Sequence, residues 1–568
     1  MSKSLSYELG PVPVSNDSTG KISGDSQTDK ADANYDNVQA VEDGQVTNTS
    51  SGDLHEGLHQ KLKARHLVFI SLGSVIGTGI FLGIGNSLKH AGPVGLVLAY
   101  TVMCSVVICV MECVGEMVTY LPVVGAHIRL SGRFIDPAIS AAMAWNYWYC
   151  WAIIVAAEVS AVAVLVTYWT EAVPSAVWIT ISLVIILAAN LCGPRVYAEI
   201  EFYMATIKVT TIIGLIILSI IIDAGGGPNG KKTGFQYWRN PGPFVQYQGV
   251  SGSTGRFLAF FSGLTGAAFA SIGAEMLAIA AAETTNPRRL IPTALKATWI
   301  RIVLFYFCGA FVVSLIVASN DPRLGSASTA AASPYVIAIT EAGIKVLPSI
   351  INAAILTSAL SAGIGDCYTA CRALHSMAGN GTAPKIFGRT TRWGSPYVAV
   401  ITTWALGLLA YLGVKSSSSN VFNFLVNLTA LSGIITWLCI GVSFVRFRKG
   451  LRAQNMSPKD LPYTSHLGVA GAWWIIGVIL AVLLFSGWPV FRKGNWDTAT
   501  FFGNYLPIGL FTLIFLFFKF WRKTKFVRAS EMDLVSGVEE FERQHRQAED
   551  ERQAAGIGSR PWYQRIIA

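Results

Sequence analysis

Apolar runs of about 20 residues, enough to cross a bilayer as a helix, recur twelve times along this chain. They lie near 67–86, 95–118, 142–168, 175–192, 202–223, 257–282, 299–319, 347–374, 396–413, 420–445, 468–489 and 502–521. In hydrocarbon every backbone N–H and C=O must be satisfied within the protein, so runs of this kind fold as helices. The pattern predicts an all-α polytopic membrane protein with twelve transmembrane helices and both termini on one side. Only 13% of the 568 residues are charged, about half the share of a typical soluble domain.

The net charge of +10 is distributed by side of the membrane and does not call for nucleic acid. Lys61, Lys63 and Arg65 precede the first span, and Arg129 and Arg133 follow the second. Arg288, Arg289 and Lys296 follow the sixth, Arg446, Arg448 and Lys449 the tenth, and Arg522, Lys523 and Lys525 the twelfth. Such loops face the cytoplasm under the positive-inside rule, which places both tails there too. Residues 1–56 are polar and expected to be a disordered tail, and no apolar core follows Met1 closely enough for a cleavable signal peptide. Residues 57–524 are expected to form one twelve-helix domain, and 525–568 a second cytoplasmic tail with a short amphipathic helix over about Leu534–Arg546. Lys3, Lys21 and Lys30 in the first tail are available as ubiquitin acceptors, which makes a ubiquitin ligase a partner to expect. The nine cysteines lie in or beside the spans and are expected as small packing residues, with no metal site.

Two spans are interrupted. Glycines stand at 73, 77, 79, 83 and 85 in the first, and at 263, 266 and 273 in the sixth. Glycine holds a helix poorly and bares its backbone. One such span alone reads first as close helix packing through Gly73-x-x-x-Gly77. Two, separated by five spans, point to an inverted-repeat transporter with spans 1–5 and 6–10 as repeats and helices 1 and 6 broken. A half-helix that starts after a break offers free N–H groups to a carboxylate. Carbonyls ending the other half accept from an ammonium group. An amino acid is the natural ligand of such a pair.

Ionisable groups inside spans are costly and point to function. Glu158 in the third span and Lys208 in the fifth have no obvious partner nearby in sequence; burial alters the balance between their charged and neutral forms, so either could carry a coupled proton. Glu275 is expected either to cap the second half-helix or to bond a neighbouring span. Asp366 is read as pairing with Arg372 on its own helix ahead of a functional role, Glu116 is expected to pair with a loop arginine, and Glu112 is open between pairing and function. No Gly-x-Ser-x-Gly elbow, His-Glu-x-x-His pair or P-loop occurs, so the chain is not read as an enzyme, and no cofactor is expected beyond a proton gradient.

Several stretches resemble the fungal amino-acid permeases, the yeast amino acid transporter family of the amino acid–polyamine–organocation superfamily. They include Gly73-Ser-Val-Ile-Gly-Thr-Gly-Ile-Phe-Leu-Gly83, Gly115-Glu-Met-Val-Thr-Tyr-Leu-Pro122, Ile207-Lys-Val209 and Arg392-Trp-Gly-Ser-Pro-Tyr-Val398. Trp145-Asn-Tyr-Trp-Tyr149 and Tyr168-Trp-Thr-Glu-Ala-Val-Pro174 are similar to the proline permease branch. The resemblance implies a LeuT-type 5+5 inverted repeat and proton symport of amino acids across the plasma membrane, with proline as leading substrate. It also implies substrate contacts at Ile76, Gly77, Thr78, Gly79, Glu158, Phe269, Ser271 and Gly273, with Phe269 as a gate. Lys208 would replace a coupling sodium ion, faced by Ser358 and Ser361. One departure is visible: no lysine lies between Phe260 and Glu283, where proline permeases of this branch carry one, which leaves room for a broader amino-acid range. A non-transporting amino-acid sensor is the rival from another class, disfavoured by the modest tails.

Overall fold

A computed structural model of the protein describes residues 76–276 apart from 124, then 291, 295–296, 298–324, 333–391, 394–415 and 418–536, with 538 and 543. Among the described residues the fold is all-helical, without a strand. Nine helices among the described residues are long and apolar enough to cross a membrane, and Ser175–Leu191 is a shorter apolar helix.

A π-helical turn over Gly79–Gly83 runs into α1 (Ile84–Tyr120). Gly92, at φ +78° and followed by Pro93, breaks α1 into the end of the first span and the whole of the second. After α2 (Ala126–Phe134) come α3 (Pro137–Val166), α4 (Ser175–Leu191) and α5 (Pro194–Asp223). Then follow α6 (Gly252–Ser271), α7 (Cys308–Ile316), which continues a π turn over Ile302–Phe307, and the short α8 (Pro334–Glu341). The remaining spans are α9 (Leu347–Gly379), α10 (Tyr397–Gly407), α11 (Ser418–Ala453), α12 (Gly468–Phe485) and α13 (Thr498–Trp521).

The sequence spans from the second to the fifth and the seventh to the twelfth each coincide with such a helix. The fifth begins earlier than expected, at Pro194 rather than 202, because Glu199 and Glu201 lower the hydropathy of turns that are nevertheless helical. Residues 67–75 of the first span, 277–282 of the sixth and the tail 1–56 lie outside the described residues.

α3 is the hub. It is almost wholly buried, and it packs against α4, α9, α10, α11 and α13. A run of small residues, including Ala152, Ala156, Ala157 and Ala161, all buried, lets neighbouring backbones approach closely, the usual basis of helix association in lipid. Peripheral α13 by contrast leaves Leu513, Phe517, Phe520 and Trp521 exposed, as lipid-facing surface requires.

Polar clamps hold the basic end of the bundle. Asp136 caps α3 by accepting from Ala138 N at 2.8 Å, and also accepts from Thr524 Oγ1 at 2.6 Å and from Lys519 Nζ. Glu116 accepts from Arg448 NH2 at 2.6 Å and Ser465 N at 2.8 Å. Its arginine therefore comes from the end of α11, not from a loop. Glu112 accepts from Tyr463 Oη at 2.7 Å and His466 N at 2.9 Å, so both acids fasten the segment leading into α12.

The segment after α13 folds back as a strap. Val527 N donates to Ile135 O at 2.9 Å, Gln454 Nε2 donates to Met532 O at 2.7 Å, and Met532 and Leu534 are buried against Gly450 of α11. The amphipathic helix expected from Leu534 does not begin there: Leu534–Ser536 are not helical, and the rest of that range, 538 and 543 apart, lies outside the described residues.

Candidate functional site

The described parts of the first and sixth spans meet. Among the described residues of the first span, Ile76 and Gly77 are not helical and a helix starts at Thr78. α6 ends at Ser271, after which Ile272 turns to ψ 142° and Gly273 sits at φ +94°. That positive φ is open to glycine and strained for other residues, so Gly273 fixes where the sixth span breaks. Gly79 lies against the end of α6 so closely that a Cβ there would be 2.8 Å from Ala270 Cα.

Glu158 reaches the first break from α3. Its Oε1 accepts from Thr78 N at 3.1 Å and from Thr78 Oγ1 at 3.0 Å. The carboxylate thus occupies the position that a helix N-terminus offers to an anion. A Cβ on Gly77 would stand 2.5 Å from the same oxygen, so the approach depends on glycine. Glu158 Oε2 is buried without a hydrogen-bond partner.

A cavity opens beside this carboxylate. Gly77, Gly79, Glu158 and Phe269 line it, together with Trp151, Ile154, Ala270, Ile272, Ala362 and Asp366. Trp151, Ile154 and Glu158 share one face of α3 at i, i+3 and i+7, and Ala362 and Asp366 share one face of α9 at i and i+4. The expected pairing of Asp366 with Arg372 is not what the structure has. Asp366 is buried in the cavity wall with Oδ2 unpartnered, while Arg372 lies over the Tyr368 ring at 4.4 Å. Six residues are more than one and a half turns, which turns the two side chains apart.

Of the other residues singled out in the sequence, Ile76, Ser271 and Gly273 are near the cavity without lining it. The Ser271 hydroxyl donates to Ala267 O at 2.9 Å within its own helix. Glu275 accepts from Trp437 Nε1 of α11 at 3.1 Å, so it bonds a neighbouring span.

Lys208 forms a second buried cluster. Its Nζ is 3.4 Å from Glu201 Oε1, with both side chains about 1% exposed. Ser361 Oγ donates to Glu201 Oε2 at 2.7 Å, and Ser358 Oγ donates to Ile76 O at 3.4 Å. Glu201 therefore stands between Lys208 and Ser361, and Lys208 does have a partner close in sequence. The signal was available: Glu201 and Lys208 are seven residues apart, two turns along one helix face. Among the described residues no group of three or more His, Cys, Asp or Glu side chains could hold a metal ion.

Comparison with known proteins agrees with this architecture. Residues 66–531 match the family model described as amino acid permease. A proline-specific permease of Emericella nidulans is 41% identical over 505 residues, 87% of this chain and 92% of that protein. A dicarboxylic amino acid permease of Saccharomyces cerevisiae is 36% identical over 530 residues, 92% of this chain and 86% of that protein. Among solved structures, a manganese transporter of Eremococcus coleocola superposes with a TM-score of 0.50 at 15% identity, covering 80% of this chain and 94% of that one. That likeness concerns the fold, which is of the LeuT type.

Proposed function

The chain belongs to the amino acid permease family, and from that premise we propose that it is a proton-coupled symporter importing amino acids, proline foremost, across the plasma membrane. Both tails then lie in the cytoplasm. What supports the reading most is the meeting of the helix start at Gly77–Thr78 with the helix end at Ser271–Gly273, with the Glu158 carboxylate bonded to Thr78 and a cavity alongside.

In this reading the substrate carboxylate sits at the first-turn amides that follow Thr78, where helix N–H groups lack partners inside the helix. The substrate ammonium meets Glu158 Oε2, the oxygen that Thr78 leaves open. Phe269, buried at the end of α6 and lining the cavity, covers the site and moves aside when the gate opens. Recognition of the zwitterion thus falls on backbone and one carboxylate, and the side chain of the substrate on Trp151, Ile154 and Ile272.

Coupling falls to the neighbouring cluster. Lys208 on α5 and Ser361 on α9 are joined through Glu201, and Ser358 ties α9 to the unwound Ile76. A proton arriving at or leaving this cluster, or Glu158, alters the charge balance between α5, α9 and the first break. The bundle then rocks between outward-open and inward-open states about the fixed site. Uptake of radiolabelled proline by permease-deficient yeast expressing the full chain, at two pH values and with a protonophore, tests this. Saturable uptake that collapses with the proton gradient is expected. No saturable uptake despite surface expression would overturn transport, and uptake indifferent to the protonophore would overturn proton coupling. Proline-specific and dicarboxylic permeases are similar to this chain at comparable identity, so the range of substrates has to be read from the cavity wall.

A further inference from the structure

The lipid-facing surface of α13 ends in a group of cations whose backbone is fixed in place. Leu513, Phe517, Phe520 and Trp521 are exposed along the helix, and Arg522, Lys523 and Lys525 follow at once, all exposed. Arg522 NH2 donates to Gly381 O at 2.5 Å, which brings the turn after α9 alongside. Lys385, exposed in that turn, is four residues from Gly381 and so within about 14 Å of it. Among the described residues none of these four cations has a carboxylate partner. Asp136 takes Lys519, Glu531 lies 3.6 Å from Arg528, and Asp533 lies 3.5 Å from Arg133. Exposed apolar groups stand among the charges, Ile386 next to Lys385 and Phe526 next to Lys525.

The positive-inside rule accounts for basic residues at this end of the bundle, but a loose tail would satisfy it equally well. Here Thr524 Oγ1 donates to Asp136 Oδ1 at 2.6 Å and Val527 N to Ile135 O at 2.9 Å, so the chain is held on both sides of Lys525. Lys519 Nζ lies 4.1 Å from the centre of the Phe526 ring, which steadies that aromatic group. Lys523 has φ +49°, in the left-handed region that glycine usually fills after a helix. A lysine there carries a conformational cost, and among the described residues its ammonium has neither a hydrogen bond nor an ion pair to offset it.

We propose that this surface binds the headgroup of an anionic phospholipid of the cytoplasmic leaflet, with the phosphate among Arg522, Lys523, Lys525 and Lys385 and the acyl chains along the outer face of α13. The leaflet follows from the placement of the tails proposed above, whereas the binding requires neither that placement nor transport. Exposed aromatic rings at headgroup depth suit such a boundary, and attraction of a basic cluster to anionic lipid is worth about fivefold in affinity per cation.

The full chain purified in detergent tests this through its melting temperature. It is titrated with dioctanoyl phosphatidylserine, with dioctanoyl phosphatidylcholine as the neutral lipid and glycerophosphoserine as the headgroup without chains. Saturable stabilisation by phosphatidylserine alone is expected. Its half-saturating concentration should rise about fivefold in Lys525→Gln and about 25-fold when Lys385→Gln is added. Lys523→Gly should weaken the lipid by a similar factor yet, without lipid, melt no lower than the wild type, a combination that loss of structure would not produce. Equal stabilisation by phosphatidylcholine would overturn the proposal, as would an unmoved half-saturation in the double variant. Glycerophosphoserine acting at the same concentration as the lipid would overturn the membrane source in favour of a soluble anion. Should a variant fail to fold, the wild-type comparison of the two lipids decides.

Discussion

Replacing Gly79 and Gly83 separately by alanine asks whether the contact between the two broken spans shapes the site. Both glycines lie in the π turn that opens the first described helix, one helical turn apart. A Cβ on Gly79 would be 2.8 Å from Ala270 Cα, 3.2 Å from Phe269 Cδ1 and 3.3 Å from Ala270 Cβ; on Gly83 its nearest neighbour would be Phe269 Cδ1 at 3.8 Å. An ordinary contact begins near 3.4 Å, so at Gly79 backbone must retreat by 0.6 Å (3.4 − 2.8) or more, while at Gly83 nothing moves. Overpacking of that kind costs about 1–3 kcal/mol. It also widens the gap between the helix breaks, and displacements approaching 1 Å in a positioned site can reduce turnover by about 100-fold. Gly83→Ala should be neutral or stabilising by up to about 1 kcal/mol, since alanine is the better helix former. Proline uptake kinetics, surface fluorescence and detergent melting curves of the two variants measure these effects. Gly79→Ala with native KM, Vmax and melting temperature would refute the inference that the breaks are in working contact, and equal damage in both variants would attribute the effect to the π turn as a whole.

Other expectations can be checked on the same platform. Thr78→Val removes the hydroxyl bond to Glu158 and keeps the backbone one, so KM should rise about tenfold, the worth of a bond to a charged group; an unchanged KM would take the Thr78 hydroxyl out of substrate binding. Glu201→Gln preserves an acceptor for Ser361 and removes the charge facing Lys208, so the accumulation ratio should fall while surface expression is kept; wild-type accumulation across the pH range would exclude Glu201 from coupling. Leu534→Ala empties a fully buried position in the strap and should destabilise by about 2–5 kcal/mol, read as a lower melting temperature. Outside the spans, hydrogen bonding from Arg323 holds the Asp321 carboxyl below the usual carboxylate range. Its folded value lies below the unfolded one, so its contribution is present above the unfolded pKa and is lost as pH falls through the folded one. Arg323→Gln should therefore begin acid inactivation at a higher pH than the wild type, and identical acid profiles would count against the pairing.

Length and hydropathy alone were enough to find the second to fifth and the seventh to twelfth spans, because each must satisfy its backbone internally in apolar surroundings. The second break was legible because glycines at 263, 266 and 273 repeat, five spans on, the interruption of the first span, and a matching pair is not what packing alone predicts. Glu158 stood out as a charge deep in a span. Asp366 did not, because Arg372 on the same helix offered a simpler account, and only the rotation of α9 separates the two. Glu201 fell just outside the apolar window of its span, where hydropathy is blind to a helix that begins with charged turns. Trp151, Ile154 and Ile272 resemble any other core residue in sequence, and their place in the cavity depends on how α3 and the end of α6 are turned toward each other.

The strap of residues after α13 sets a practical boundary for work with this protein. Its backbone is tied to Ile135 and Gln454, and Met532 and Leu534 are seated against Gly450 of α11. A chain shortened to the end of its last span would keep every membrane-crossing segment yet bare an oily groove on α11 to water. Shortened versions should therefore stop beyond Leu534, and reporter domains belong after it, since a bulky fusion placed between Trp521 and Met532 would pull the seal open.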